Sequence, residues 1–377
     1  MRLLAPSGFL AVLLALVLAG CAAPSPSPDA YDARLARLTP APGVQSIRAK
    51  LALPQEIEDQ ILAIDPAHVT DADVRGPLSH APAPRVMLLH GGIYPVQLLM
   101  ESFGRFLVRM GYPQSRIRDP GDRDWSYSPY EDAEKLAGII AWDYERTGVR
   151  PMLIGHSQGG MQAVKVLHEP AGHFDESVRV YDPLRDAFED RTTIVDPLTR
   201  RTRPVVGDVR VSYASAVGAG GATFIMPNQW SMAGKLESIP STVDDFTGFT
   251  VGVDLIGGAT HYDSNGTAHV RNIALPITYN HIFVPAVGSL ANDAEVRDWI
   301  NGYAPGDKRD PSTLPGDAAQ HVLWAADVWY SIKRHWCLEA QRLVRAERAR
   351  VPTLEAGSKP RPTESAERNA PAESAVQ

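Results

Sequence analysis

Short apolar runs alternate with longer amphipathic segments along most of the chain. The runs RVMLLHGG (85–92) and RPMLIGHS (150–157) are continuously hydrophobic until they reach glycine or serine, as buried parallel strands are. Runs of this kind predict strands over 85–92, 150–157, 209–221, 248–258 and 268–276. Apolar residues at spacings of three and four predict helices over 95–112, 130–148, 159–169 and 292–303. This alternation is typical of an α/β fold with a mostly parallel central sheet flanked by helices, here over 85–303.

Two stretches interrupt the alternation inside this domain. Residues 170–208 are polar and contain two β-prone runs around a polar turn, which predicts a hairpin insertion. Residues 222–248 have few periodic apolar positions and form a possible lid. We interpret the acidic pair Asp244 and Asp245 as solvated loop charges rather than as the acids of a glycosidase.

The carboxyl-terminal part predicts a helical extension over 304–350. Within it, residues 318–350 repeat apolar side chains, three tryptophans among them, at spacings of three and four, which predicts one long amphipathic helix. We interpret the tryptophans as core contacts; a dimer contact and a membrane-surface face are the alternatives. The polar, proline-containing segment 351–377 is predicted to be a disordered tail.

The amino terminus carries an apolar run that is short for a membrane span and ends in LAGC (18–21). Small residues before a cysteine resemble the cleavage signal of bacterial lipoproteins. The resemblance implies a signal peptide over 1–20 and acylation of Cys21, which would hold the protein on a membrane of the bacterial cell envelope. Ala22 in place of aspartate implies the outer membrane. An ordinary secretory signal with an incidental cysteine is the alternative. Residues 21–84 are then a linker and amino-terminal extension.

Composition excludes several classes of function. The chain has 377 residues with a net charge of −7, so a concentrated basic surface for nucleic acid is not expected. The basic run RRTRP (200–204) is interpreted as a solvated hairpin tip. Two cysteines are too few for a cysteine-based metal site, and scattered histidines together with the absence of phosphate-binding and dinucleotide-binding glycine motifs predict neither metal nor cofactor.

The segment GHSQG (155–159) fits the pattern G-x-S-x-G, which alone is a weak signal. Its position is more informative, because it follows a predicted buried strand and begins a predicted helix. Such a turn can present Ser157 as a nucleophile, with the helix amino terminus favouring negative charge nearby. A glycine-rich turn with an inert serine is the alternative.

A second glycine-marked strand end, LLHGG (88–92), lies ahead of the first predicted helix of the domain. Together, GHSQGG and the HGG loop resemble the nucleophile turn and oxyanion loop of the α/β-hydrolase superfamily of lipases and esterases. The resemblance implies oxyanion donors on the main-chain N–H groups of Gln158 and of Gly92 or Ile93. His90 is interpreted as a residue that shapes this loop.

The order of a hydrolase triad is serine, acid, histidine. The superfamily keeps its base in the loop after the last strand, where this chain has His281. The competing histidines are His261, His269 and His321. Asp254 at the end of the penultimate predicted strand is the first candidate for the acid, and Asp263, in an SNG-containing turn, is the alternative.

These residues predict a serine hydrolase of lipase or esterase type, acting on a small-molecule or lipid ester through an acyl-enzyme. Two alternatives remain open. Acyl transfer to an alcohol uses the same residues, and a membrane-anchored lipoprotein could keep the fold for binding without catalysis. Neither the substrate nor the oligomeric state follows from the sequence.

Overall fold

The computed structural model describes residues 53–358. The predicted signal peptide and Cys21 lie in residues 1–52 and are therefore outside the described residues. The same holds for 359–377, the last part of the predicted tail.

A sheet of five strands forms the centre of the molecule. Its strands are β1 (Val86–Leu89), β2 (Met152–His156), β3 (Val211–Val217), β4 (Val243–Val251) and β5 (His269–Leu275). They lie in the order β1-β2-β3-β4-β5, and each neighbouring pair is parallel. The predicted α/β class with a parallel sheet is thus confirmed. Because all five strands run in one direction, their carboxyl ends share one edge of the sheet.

Helices cover both faces of the sheet. They are α1 (Gln55–Ala63), α2 (Asp71–Arg75), α3 (Pro77–His80), α4 (Tyr94–Arg109), α5 (Ala133–Thr147), α6 (Gln158–His168), α7 (Ala294–Asn301) and α8 (Val322–Ser358). Shorter helical turns span Gln114–Arg116, Val205–Asp208, Gly221–Ile225, Pro227–Met232, Gly288–Asn292, Pro311–Thr313 and Ala318–Gln320.

Alternate residues of β1 enter two separate hydrophobic cores. Val86 and Leu88 are buried with side chains of α4 and α8, whereas Met87 and Leu89 are buried with side chains of α5 and α6. Successive side chains of a strand point to opposite faces, so a sheet covered on both faces needs an unbroken apolar run. This requirement explains why the strands were readable as continuous hydrophobic segments.

The long helix α8 belongs to the first of these cores. Trp324 packs on Phe103 of α4 with ring centroids 4.6 Å apart, and Trp336 packs on Tyr112 at 5.0 Å. Trp324, Trp329 and Trp336 are fully buried, so the interpretation of the tryptophans as core contacts is confirmed. The helix ends at Ser358, and residues 351–358 are therefore helical rather than part of a disordered tail. A helix that tertiary packing has already formed can extend one residue at a time without a new nucleus.

Residues 53–84 are the described part of the predicted linker and amino-terminal extension, and they pack on the domain. They form α1, α2 and α3, and Ile61, Val74 and Leu78 are fully buried in the core shared with α4 and α8. Gln341 of α8 donates to the main-chain oxygens of Ile61 and Ile64 at 3.0 and 2.7 Å. The scattered apolar residues of this segment did not indicate that it packs into the core.

Strand β4 begins at Val243, so the predicted lid boundary at residue 248 is wrong. The acidic pair that suggested a loop lies on the strand and is neutralised by cations. Asp244 lies 2.7 Å from Arg150, and Asp245 pairs with Arg334 and with His335. Charged residues can occupy a buried strand when each has a partner, which local pattern cannot reveal.

Short strands form the insertion between α6 and β3. Tyr181–Asp182 pairs with Ala187–Phe188, and Thr193–Val195 pairs with Thr202–Pro204, both antiparallel. Elsewhere, Ser238–Pro240 pairs in parallel with Asp263–Asn265. Within residues 53–358, no helix combines the length and apolarity that crossing a bilayer requires.

Candidate active site

Ser157 lies in a sharp turn between β2 and α6 at the carboxyl edge of the sheet. Its φ of 58° and ψ of −126° place a non-glycine residue in a strained conformation. The turn is compact because Gly159, in the first turn of α6, lies against the end of β1. A Cβ on Gly159 would overlap the carbonyl oxygens of Leu89 and His90. The glycines of the GHSQGG motif are therefore required by the close approach of strand and helix.

Three side chains from different strand ends form a continuous hydrogen-bond chain. Nε2 of His281 lies 2.9 Å from Ser157 Oγ, and Nδ1 of His281 lies 2.6 Å from Asp254 Oδ2. Since the carboxylate accepts from Nδ1, Nε2 is left to accept the serine proton. The imidazole and carboxyl side chains are 9% and 2% exposed, so solvent competes little for these contacts.

Asp254 is held by the turn that follows β4. Its Oδ1 accepts hydrogen bonds from the main-chain N–H groups of Ile256 at 2.9 Å and of Gly257 at 2.8 Å. Burial by itself raises the pKa of this carboxyl. The hydrogen bonds from His281 and Gly257 outweigh burial and hold the pKa below its usual value. Asp254 is thereby kept ionised opposite His281.

The turn after β3 leaves room for this pair. Gly218 has a φ of 60°, and a Cβ there would lie 2.8 Å from His281 Nδ1 and 3.2 Å from Asp254 Oδ2. Larger residues are therefore disfavoured both by the backbone conformation and by contact with the imidazole.

The alternative acid and the competing histidines lie elsewhere. Asp263 is 84% exposed, and its side chain faces His261 at 3.8 Å. His269 lies 3.3 Å from Asp245, and His321 packs near the ring of Tyr279. Of the predicted candidates, the structure brings Asp254 and His281 to Ser157 and does not bring Asp263.

The loop after β1 that holds Gly91 and Gly92, which is the predicted oxyanion loop, lies against the turn at Ser157. A Cβ on Gly91 would be 3.1 Å from Ser157 Cβ, and Tyr130 Oη donates to the Gly92 oxygen at 3.2 Å. Within residues 53–358, the main-chain N–H groups of Gly92, Ile93 and Gln158 donate to no protein acceptor. Main-chain donors without partners at a helix amino terminus are available to a developing oxyanion.

His90 shapes this loop, as expected. Its Nδ1 lies 2.9 Å from Ser126 Oγ, and its main-chain N–H donates to the Tyr127 oxygen. Burial lowers the pKa of His90 to about 4, so the side chain is neutral. These hydrogen bonds of His90 fix the end of β1 beside Ser157.

His156 is a residue of the site that sequence reasoning did not identify. Its imidazole is fully buried, and Nε2–H donates to the main-chain oxygen of His281 at 2.6 Å across 125 residues of chain. Burial is the main cause that lowers the pKa of His156 to about 3, and the nearby His281 adds to it. His156 therefore remains a neutral donor that positions the loop carrying His281. The residue occupies a variable position of G-x-S-x-G, and its partner is a main-chain atom, so the sequence holds no signal for it.

Within residues 53–358, no group of three or more histidine, cysteine, aspartate or glutamate side chains is placed to hold a metal ion. No protein-family model matches the chain, and no curated protein sequence matches it significantly. The chemistry of the site is accordingly argued from its geometry.

Proposed function

We propose that this protein is a serine hydrolase of the α/β-hydrolase type that cleaves carboxylic esters through an acyl-enzyme on Ser157. The observation that carries the proposal is the unbroken chain of hydrogen bonds from Ser157 through His281 to Asp254. A serine hydroxyl is a poor nucleophile until a base within hydrogen-bond reach accepts its proton. The strained turn, the buried pair and the free main-chain donors all converge on this one hydroxyl.

In the first half of the reaction, Ser157 Oγ attacks the ester carbonyl while Nε2 of His281 takes the hydroxyl proton. Negative charge then develops on the carbonyl oxygen, where the N–H groups of Gln158 and of Gly92 or Ile93 stabilise it. The tetrahedral intermediate collapses when the C–O bond to the alcohol breaks. His281 gives its proton to the departing alcohol, and an acyl-serine remains.

In the second half, water replaces the alcohol. His281 accepts a proton from water as the oxygen attacks the acyl carbonyl, and the same donors stabilise the second oxyanion. Collapse releases the carboxylic acid, and His281 returns the proton to Ser157. Asp254 stays ionised throughout and stabilises the imidazolium that forms in each half.

The predicted signal peptide and lipidation at Cys21 extend the proposal to location. We propose that the enzyme works anchored by acyl chains in the bacterial cell envelope, at the outer membrane. Metabolic labelling with an alkyne fatty acid tests this, since Cys21→Ser should lose the label.

The test of catalysis compares Ser157→Ala with Ser264→Ala, a change at an exposed serine of the strand Asp263–Asn265. Loss of the nucleophile should lower kcat/KM on a soluble p-nitrophenyl ester by about 10⁴-fold or more. Ser157→Ala should also abolish covalent labelling by a fluorophosphonate. Full hydrolysis by Ser157→Ala, or a wild-type protein that the probe does not label, would overturn the proposal. Adding an alcohol acceptor and analysing products separates hydrolysis from acyl transfer.

A further inference from the structure

Most of the exposed large apolar side chains lie near the carboxyl edge of the central sheet. Among the described residues, nine large hydrophobic side chains are exposed, and six of them lie on the three segments that follow the carboxyl ends of β1, β4 and β5. These six form the apolar rim, which consists of Tyr94, Leu98, Val253, Leu255, Ile277 and Phe283. The other three, Tyr130, Val195 and Trp230, lie on other segments.

Each pair of the rim flanks one part of the candidate site. Tyr94 and Leu98 follow the oxyanion loop at the start of α4. Val253 and Leu255 stand on either side of Asp254, and Ile277 and Phe283 stand on either side of His281. Leu255 is the most exposed of the six at 88%. Because Asp254 and His281 are hydrogen-bonded in a chain to Ser157, the rim residues beside them lie at the edge of the sheet that carries the candidate site.

The rim segments lack charge to an unusual degree. Residues 86–100, 246–260 and 273–292 contain no lysine, arginine or glutamate, in a chain of which 21% is charged. Their one aspartate is Asp254, whose side chain is buried against His281. Surfaces that recognise charged partners carry complementary charges, which steer association and select the partner. The first charged side chains beyond these segments on α4, Glu101 and Arg105, lie beside Leu98 and pair with each other. The partner of the rim is therefore expected to be apolar and electrically neutral.

We propose that the apolar rim docks on the surface of a neutral or zwitterionic lipid phase, from which the site takes its ester substrate. The inference rests on the proposed function, and it narrows the substrate to esters held in a lipid surface. Exposed apolar area costs free energy in water and is relieved by transfer into an apolar phase. We infer that the exposed apolar residues beside the site are kept in spite of this cost because docking and substrate capture use the same surface.

The predicted anchor permits this orientation. Leu53, where the described chain begins, packs with Val149 and Leu343, near the amino end of β2 and away from the rim. A chain of the length of residues 21–52 can span at most about 115 Å when extended. A domain of this size is about 50 Å across. A tether fixed at Cys21 is therefore long enough to let the rim face the bilayer that holds it.

The first experiment reports docking without catalysis. Full-length Ser157→Ala protein would also carry Leu255→Cys or, as the control, Val195→Cys, labelled with an environment-sensitive fluorophore. Val195 is 46% exposed on the hairpin of the insertion, outside the rim, and Cys337 is buried. Phosphatidylcholine vesicles should shift the emission of the probe at 255 to the blue and leave the probe at 195 unchanged, equally at low and high salt.

Several outcomes would overturn the proposal. One is no shift at 255, and another is equal shifts at both positions. A shift that needs anionic vesicles and disappears in salt would indicate an electrostatic surface instead. A shift that appears with rising protein concentration and no vesicles would indicate that a second copy of the chain covers the rim. Because these variants lack the nucleophile, none of the outcomes depends on whether Ser157 is catalytic.

The second experiment measures how the surface affects turnover. Leu255→Asp should lower the ratio of hydrolysis of a vesicle-borne ester to hydrolysis of a soluble ester by about 10-fold or more, because a charge replaces an apolar contact. Val195→Asp should leave this ratio unchanged. An unchanged ratio for Leu255→Asp would contradict docking through the rim. Absence of hydrolysis of either ester by the wild-type protein would contradict the proposed function instead.

Discussion

The two edges of the central sheet differ in how they use charge. Where strands begin, carboxylates are buried in networks with arginine: Asp143 lies 3.0 Å from Arg85 and 2.6 Å from Arg116, and Glu339 lies 2.6 Å from Arg150. Where the strands end, the loops are nearly uncharged, and the pair of His281 and Asp254 stands within an apolar surface.

This difference separates the parts that stabilise the fold from the parts that we propose to be catalytic. The carboxyl edge holds features that cost free energy, namely the strained backbone of Ser157, unpaired main-chain donors and exposed apolar side chains. Such features persist only where contacts of the surrounding structure hold them in place. The paired charges and the two hydrophobic cores supply that constraint at the amino edge and along both faces.

The largest expected effect separates the two acids that the sequence left open. Asp254→Asn should lower kcat/KM by about 10⁴-fold, because the amide cannot hold Nδ1 of His281 protonated and Nε2 free. Asp263→Asn, at an exposed position that faces His261, should retain wild-type activity. The measurement is ester hydrolysis, with the unfolding midpoint recorded for each variant. Loss of activity in the Asp263 variant alone would reverse the assignment.

At the amino edge, the expected effect is on stability. Glu339 accepts from the main-chain N–H and the guanidinium of Arg150 and from Arg342. Burial raises the pKa of Glu339, but the two arginines outweigh burial and hold the pKa below its usual value. Glu339→Gln should lower the free energy of unfolding by about 3 kcal/mol, because Arg150 and Arg342 lose their buried carboxylate and Arg150 keeps only the more exposed Asp244. Activity per folded molecule should not change.

The control for this substitution is a salt bridge on the surface. Glu101 pairs with Arg105 one helical turn away on α4, where both side chains reach solvent. Glu101→Gln should cost less than about 1 kcal/mol. Equal losses of unfolding free energy in urea for the two variants would contradict a special role for the buried network.

The sequence pattern predicted those parts of the fold that depend on residues close together along the chain. Continuous apolar runs and glycine-marked strand ends sufficed for the parallel sheet, the turn at Ser157 and the loop at His281. The start of β4 was missed because Asp244 and Asp245 look like loop residues until Arg150 and Arg334 are seen beside them. The choice between two acids and the existence of the apolar rim both depend on which loops meet in space.

His156 makes a contact that no sequence pattern predicts. Its substitution should affect catalysis less than that of Asp254. His156→Ala removes the donor to the main-chain oxygen of His281 and should lower kcat by about 10–100-fold with little change in KM, because the base is displaced. His156→Gln, which keeps a donor, should recover part of the loss. His269→Ala, at an exposed histidine of β5, should have no effect. Unchanged kcat in His156→Ala would show that the base does not depend on this contact.

The smallest expected effect concerns Glu169 and Glu339, two buried carboxyl groups. It tests whether a buried carboxylate stabilises the fold only when it has a partner. Glu169 is buried like Glu339, yet its Oε2 has no hydrogen-bond partner. Burial, helped by Asp132 and Asp175, raises the pKa of Glu169 to about 7, which Lys165 only partly opposes. A carboxyl whose folded pKa is raised contributes stability below its unfolded pKa and loses it as the pH rises through 7. Glu169→Gln should therefore raise the free energy of unfolding by about 1–2 kcal/mol at pH 8 and change it little at pH 4.5, measured in urea. Exposed Glu176→Gln should change it little at either pH, and a Glu169 variant that is less stable than wild type at pH 8 would mean that the ionised carboxylate has a partner after all.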